Sequence, residues 1–191
     1  MPRICVFAGS AAGARPSYLI AARELGAEIA RRGHSMVYGG GSCGLMGACA
    51  DAAIAGGAEV VGVLPRALTS REVAHPGLTE MRIVGSLHER KAVMSALCDA
   101  VVALPGGCGT LDELFEAITW GQLGLHEKPI GLLDADGYFS ALLAFLEHMN
   151  AEGFVRPALR LLRARTAREL LDQLLSAPPA AVSPGGPHPP P

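Results

Sequence analysis

The chain has 191 residues, a mass of 19.7 kDa, 50% apolar content and a formal net charge of −2 from 16 basic and 18 acidic side chains. That length suits one full domain with a sizeable core, while balanced charge and 5% aromatics leave no basic stripe or stacking platform for nucleic acid and no pull toward an anionic membrane. No apolar run approaches the roughly 18–20 residues that span a bilayer, and the opening MPRICVFAGS lacks a secretory apolar core, so the expectation is a cytoplasmic protein with no nucleic-acid or membrane partner.

Strands and helices are expected to alternate. Arg3–Ala8 reads as a strand ending at Gly9-Ser10, and Pro16–Arg32 as a helix with Leu19, Ile20, Leu25 and Ile29 in period, closed by Gly33. Ser35–Tyr38 is a short strand before Gly39-Gly40-Gly41, Leu45–Ala55 an alanine-rich helix, and Glu59–Leu64 a buried strand stopped by Pro65. After an irregular stretch, 66–78, come a strand at Glu80–Val84, a helix at Leu87–Cys98 and a strand at Ala100–Leu104. A helix at Thr110–Gln122, a strand at Pro129–Leu133, a helix at Tyr138–Asn150, a strand at Leu161–Ala164 and a helix at Ala167–Leu175 complete the pattern. Near-continuous apolar strands alternating with helices predict a parallel sheet covered on both faces, a doubly wound, Rossmann-like α/β domain over residues 1–176. The stretch 177–191, APPAAVSPGGPHPPP, holds seven of the 14 prolines and no apolar period, and is expected to be a disordered tail.

Five cysteines, none spaced C-x-x-C, predict neither a disulfide framework nor a zinc site, and no resident metal or cofactor is expected. Fourteen of the 16 basic residues are arginine; the lysines are Lys91 and Lys128 alone.

Three glycine-rich turns follow strands: Gly9-Ser10-Ala11-Ala12-Gly13, Gly39 to Gly44, and Pro105-Gly106-Gly107-Cys108-Gly109-Thr110. In a parallel sheet such turns share the carboxyl edge, where ligands bind. Each opens onto a helix whose first N–H groups and dipole favour an anion, and glycine lets backbone approach a phosphate closely. Gly9, Ser10, Gly40 and Gly41 are therefore candidate phosphate contacts. The second turn also matches G-x-G-x-x-G at Gly39, Gly41 and Gly44, but Glu59 starts its strand, at the wrong edge to reach a ribose, so a nicotinamide site is not expected. In the third turn Thr110 and Glu113 have capping-box spacing. Glu113 is thus either a cap or a carboxylate one sugar's length from a bound phosphate, where it could stabilise positive charge on a ribose or activate water. His88-Glu89-Arg90-Lys91 opens the preceding helix, and Arg90, 15 residues before Pro105, returns to the same edge with a guanidinium suited to phosphate or carboxylate.

The run His88-Glu89-Arg90-Lys91, Asp99-Ala100 and Leu104-Pro105-Gly106-Gly107-Cys108-Gly109-Thr110-Leu111-Asp112-Glu113-Leu114 resembles the Lonely Guy (LOG) family, the cytokinin riboside 5'-monophosphate phosphoribohydrolases, with their PGGxGTxxE signature. Collinear blocks extend the likeness over roughly residues 3–176: Tyr38-Gly39-Gly40-Gly41, Gly44-Leu45-Met46-Gly47, Gly62-Val63-Leu64-Pro65, Thr119-Trp120-Gly121-Gln122-Leu123-Gly124 and Lys128-Pro129-Ile130-Gly131. The resemblance implies hydrolysis of the N-glycosidic bond of an adenosine 5'-monophosphate, plain or N6-substituted, to free base and ribose 5-phosphate. It also implies a homodimer. By motif position it implies Arg90 and Glu113 as the catalytic pair, and Glu72, Lys91, Gly107, Cys108, Gly109, Thr110, Leu111, Asp112 and Thr119 as nucleotide contacts. Ala11, Leu87 and Cys108 depart from the residues usual in the family, away from the catalytic pair.

Two rival readings remain. Proteins with this signature are often labelled lysine decarboxylases, which need pyridoxal phosphate on a lysine. Related folds bind nucleotides or molybdenum cofactor without catalysis; a carrier would not need both Arg90 and Glu113.

Overall fold

Short, mostly apolar runs form strands that are buried on both faces at the centre of the sheet and partly exposed at its edges, and the helices between them cover those faces. The computed structural model describes residues 1–69, 74–155 and 161–177. Seven strands, β1 (Arg3–Phe7), β2 (Ser35–Tyr38), β3 (Val60–Pro65), β4 (Glu80–Val84), β5 (Ala100–Ala103), β6 (Ile130–Leu133) and β7 (Leu161–Ala164), make one sheet whose neighbours are all parallel, in the order β4-β3-β2-β1-β5-β6-β7. The helices are α1 (Pro16–Arg31), α2 (Gly44–Ala55), α3 (Leu87–Leu97), α4 (Cys108–Gln122), α5 (Ser140–Ala151) and α6 (Ala167–Ser176), with 3-10 turns at Arg66–Leu68 and Ala135–Gly137. This is the expected doubly wound α/β fold.

The period-two alternation of a strand divides β1 between two cores. Ile4 and Val6 pack with Leu25 and Ile29 of α1, Cys49 and Ala53 of α2, and Leu170 and Leu174 of α6. Cys5 and Phe7 face the other layer, with Met94 of α3, Leu114 and Ile118 of α4 and Phe139 before α5. The chain winds outward from β1 to β4, then α3 carries it back so that β5 pairs with the other side of β1. Winding reverses between β1 and β5, which makes a crevice at their carboxyl ends.

Most boundaries fall within a residue or two of expectation, and two differ in kind. The fourth helix begins at Cys108, with extended Gly107 as its N-cap and no side-chain cap bond, so Thr110 lies inside the helix and Thr110/Glu113 is not a capping box. The fifth helix begins at Ser140 rather than Tyr138, because Asp136 adopts a left-handed conformation (φ 51°) and the buried Asp134 carboxylate accepts the Phe139 N–H at 2.7 Å. No helix among the described residues is long and apolar enough to cross a membrane. Glu72, residues 156–160 and residues 178–191 lie outside the described residues, and with them all of the expected tail but Ala177.

Candidate active site

The crevice is built by three turns clasped together at the carboxyl edge. The Gly9 N–H donates to Pro105 O at 3.0 Å, and Leu104 N–H to Phe7 O at 2.8 Å, joining the first and third turns across β1 and β5. Gly106 sits so close that a Cβ there would lie 2.1 Å from Thr110 Oγ1 and 2.9 Å from Gly9 N. Tyr138, which follows the Ala135–Gly137 turn, donates its hydroxyl to Gly106 O from the far side. Thr110 is accordingly buried against Gly106, while Gly107, Cys108 and Gly109 are exposed.

The three turns differ in what they leave open to an anion. The Gly9 carbonyl accepts Leu45 N–H at 3.0 Å and Met46 N–H at 3.3 Å, so it caps α2 and uses the donors a phosphate would have needed there. In the second turn Gly40 and Gly41 are buried; Gly40 O accepts His75 N–H at 3.0 Å and Gly41 pairs with Ala74. Ser10 stays exposed at the rim. At α4 the first intrahelical bond is Leu111 N–H to Gly107 O at 3.1 Å. The N–H groups of the preceding turn therefore lack intrahelical acceptors, and beside them a Cβ at Gly107 or Gly109 would meet no atom within 4 Å. This end has the open space and the donors that an anion requires.

Arg90 comes to this edge from the first turn of α3. Ser86 caps that helix by accepting Glu89 N–H at 3.1 Å, and Glu89 returns its carboxylate to Gly85 N–H at 2.6 Å. The side-chain cap at this edge is thus Ser86, one helix earlier than the expected one, with the Glu89 carboxylate on the N–H of the residue before it. Arg90 is buried, with 6% of its surface exposed, and its Nη2 lies 3.8 Å from Glu113 Oε1, whose side chain is 15% exposed. Arg90 Nε is buried without a hydrogen-bond partner. The guanidinium lies on the second turn, where a Cβ at Gly39 would sit 1.8 Å from Nη2.

Around this pair, Lys91 Nζ lies 3.1 Å from both Asp112 Oδ2 and Glu116 Oε1. Burial disfavours its ammonium, but hydrogen bonds and charge from Glu116 and Asp112 outweigh this and hold its pKa above the ordinary lysine value. Leu111 and Asp112 continue along α4 into an open groove of about 530 Å³ that also includes Cys108, Phe115, Thr119 and Trp120. Thr119 donates its hydroxyl to Phe115 O at 2.7 Å. It lies six residues beyond Glu113, about 9 Å along the helix. The expected residues from Arg90 to Asp112 and Glu113 therefore gather at one end of α4, and Thr119 stands at the far end of the groove. Tyr138 and His75 were not found from sequence, since each acts across more than 20 residues on a turn with no local signal.

A family model described as "Possible lysine decarboxylase" matches residues 46–174. The cytokinin riboside 5'-monophosphate phosphoribohydrolase LOG of Oryza sativa subsp. japonica is 51% identical over 174 residues, 90% of this chain and 72% of that protein. The chain belongs to the LOG family. A further family member, the cytokinin riboside 5'-monophosphate phosphoribohydrolase LOG1 of Arabidopsis thaliana, is 49% identical over 90% of this chain and 82% of its own length. Among solved structures, the molybdenum cofactor carrier protein of Chlamydomonas reinhardtii superposes with a TM-score of 0.70 at 25% identity, covering 92% of this chain and 98% of that one. A molybdenum cofactor binding protein from Rippkaea orientalis gives 0.69 at 24% identity, over 92% and 96%, a likeness of fold.

The lysines do not fit the chemistry in the family model's description. A Schiff-base lysine reacts as a neutral amine, whereas Lys91 is held protonated by two carboxylates. Lys128 precedes β6, at the opposite edge of the sheet, and its Nζ donates to Ser95 O with Cys98 Sγ at 3.9 Å.

Proposed function

We propose that the chain hydrolyses the N-glycosidic bond of adenosine 5'-monophosphates, plain or N6-substituted, giving the free base and ribose 5-phosphate. The curated relatives at 49–51% identity are named cytokinin riboside 5'-monophosphate phosphoribohydrolases, which supports the N6-substituted case directly. The observation that carries the reading to these residues is the Arg90–Glu113 pair, 3.8 Å apart beside an uncapped helix N-terminus.

In this mechanism the α4 N-terminus takes the phosphate on the N–H groups of Gly107, Cys108, Gly109 and Thr110, with Ser10 at the rim. The 530 Å³ groove past Leu111, Asp112 and Thr119 receives the base and any N6 substituent. As the bond from ribose to base breaks, positive charge builds on the sugar. The Glu113 carboxylate stabilises that charge and orients the water that adds its oxygen to the anomeric carbon, and the proton this water loses balances the one the departing base takes up. Arg90 fixes Glu113 and the substrate in register. Lys91 acts through Asp112 and Glu116, with which it is already paired, rather than as a free phosphate ligand. Gly9, Gly40 and Gly41 shape the crevice through buried backbone, and Glu72 is assigned on motif position alone.

The test is a panel of nucleoside monophosphates and nucleosides with chromatographic detection of free base. AMP or an N6-substituted AMP should be cleaved and adenosine hardly at all. Equal turnover of AMP and adenosine would remove the phosphate anchor from this account. We further take the protein to be cytoplasmic and, as the family resemblance implies, a homodimer; light scattering at micromolar concentration should give twice the chain mass, and a monomer would contradict it.

A further inference from the structure

Arg90 is positioned by few bonds of its own. Its Nε has no hydrogen-bond partner, Nη2 is 3.8 Å from Glu113, and the guanidinium rests on Gly39, where there is no Cβ to push against. The backbone position of the Gly39–Gly41 turn therefore decides where the guanidinium lies. From within, the Tyr38 hydroxyl donates to Gly41 O at 3.1 Å. From outside, the turn is held by the segment that enters β4.

His75 is the centre of that hold. Its backbone N–H donates to Gly40 O at 3.0 Å, and its neighbour Ala74 pairs with Gly41. Its ring accepts Gly77 N–H at Nδ1 (3.1 Å), so the ring proton sits on Nε2, which faces Asp51 Oδ1 of α2 at 3.0 Å. The side chain is 7% exposed, whereas that of Asp51 is 70% exposed. His75 thus links α2 and the turn at Gly77 through its ring and the glycine turn under Arg90 through its backbone N–H, and its ring hydrogen-bonds none of the reacting groups.

We propose that His75, oriented by Asp51, is the positioning residue that holds the Gly39–Gly41 turn against the Arg90 guanidinium. The inference rests on the reading of Arg90 as catalytic. Its physical basis is preorganisation: a side chain with few bonds of its own keeps its geometry only if the surface beneath it is fixed. Asp51 orients the ring, the ring fixes the segment 74–77, and that segment's backbone bonds fix the turn.

The experiment uses the full chain and four variants: His75→Ala, Asp51→Ala, Asp51→Asn, and Leu170→Ala in α6 as a destabilised control remote from the crevice. Hydrogen exchange is followed on peptides covering residues 38–44, and kcat and KM are measured with AMP. Both alanine variants near the crevice should lose about tenfold in kcat, the scale of a small misplacement of a catalytic group, with a smaller change in KM. Their turn amides should exchange faster. Asp51→Asn should return kcat to within about twofold of wild type, because an amide oxygen still accepts the Nε2–H. Leu170→Ala should lower Tm and leave both the turn amides and kcat unchanged. Should His75→Ala fail to fold, the exposed Asp51 pair carries the same comparison. Unchanged turn exchange in Asp51→Ala, or faster exchange with kcat unaffected, would overturn the proposal. Absence of base release by the wild type would defeat the reaction assigned above, while the exchange data would still decide whether His75 holds the turn.

Discussion

Two helices begin side by side at the carboxyl edge of the sheet, and they begin in opposite ways. α3 is closed by its own side chains, with Ser86 on Glu89 N–H and Glu89 on Gly85 N–H. α4 starts at an extended glycine with no side-chain cap, and its first turn opens on solvent. A capped N-terminus is finished locally and can serve as a fixed mount, and α3 mounts Arg90. An uncapped one keeps donors and dipole available to a ligand. The comparison also explains Glu113. Because α4 starts at Cys108, the T-x-x-E carboxylate is not spent on its own helix end and instead lies 3.8 Å from the arginine that the neighbouring helix supplies.

Each side of this comparison can be broken separately. Among changes that alter one helix start alone, the largest effect should come from Arg90→Ala, which takes the mounted group from the capped helix. We expect kcat to fall by about 10²–10³, the scale of a lost electrostatic group in an active site, measured by release of adenine from AMP. Next is Gly107→Asp, which makes α4 resemble α3. The residue is already extended (φ −92°, ψ −158°) and a Cβ there meets nothing, so the carboxylate can cap the helix. Tm should rise slightly, from a few tenths to about 1 kcal/mol of helix stabilisation. The KM for AMP should rise about tenfold or more, because a carboxylate then occupies the place of the phosphate. A gain in Tm with unchanged KM would mean that the phosphate does not sit there. The smallest effect is expected from Ser86→Ala, which uncaps α3. The loss should be about 1 kcal/mol, or roughly 2–4 °C in Tm for a domain of this size, with kcat close to wild type if the rest of α3 keeps Arg90 in place.

The sheet was legible because its central strands β1, β2, β3 and β5 are short, largely apolar runs that end at or near glycine or proline, and Ser35–Tyr38, Glu80–Val84 and Leu161–Ala164 match to the residue. The site was legible where a local pattern marks it. Arg90 and Glu113 sit at helix starts next to strand ends, and the fold brings them together. The start of α4 was misread because Gly107, Cys108 and Gly109 are weak helix formers by local preference, while Thr110 looks like a cap. In the fold, Thr110 instead fills the space beside Gly106, and the helix is drawn back to Cys108. The inequality of the three glycine turns was not legible. That Gly9 caps α2, that Tyr138 holds Gly106, and that His75 reaches Asp51 are contacts between residues 24 to 37 positions apart, which no local spacing encodes.

The central claim is that Glu113 is a catalytic carboxylate and not a structural one, and the most direct test is kcat and Tm measured together on Glu113→Gln. The substitution keeps the shape of the side chain and removes its charge. We expect kcat with AMP to fall by about 10²–10⁴, as for a lost acid–base or electrostatic group, with Tm nearly unchanged because no cap is lost at α4. A variant that melts several degrees lower yet releases adenine at close to the wild-type rate would contradict the account.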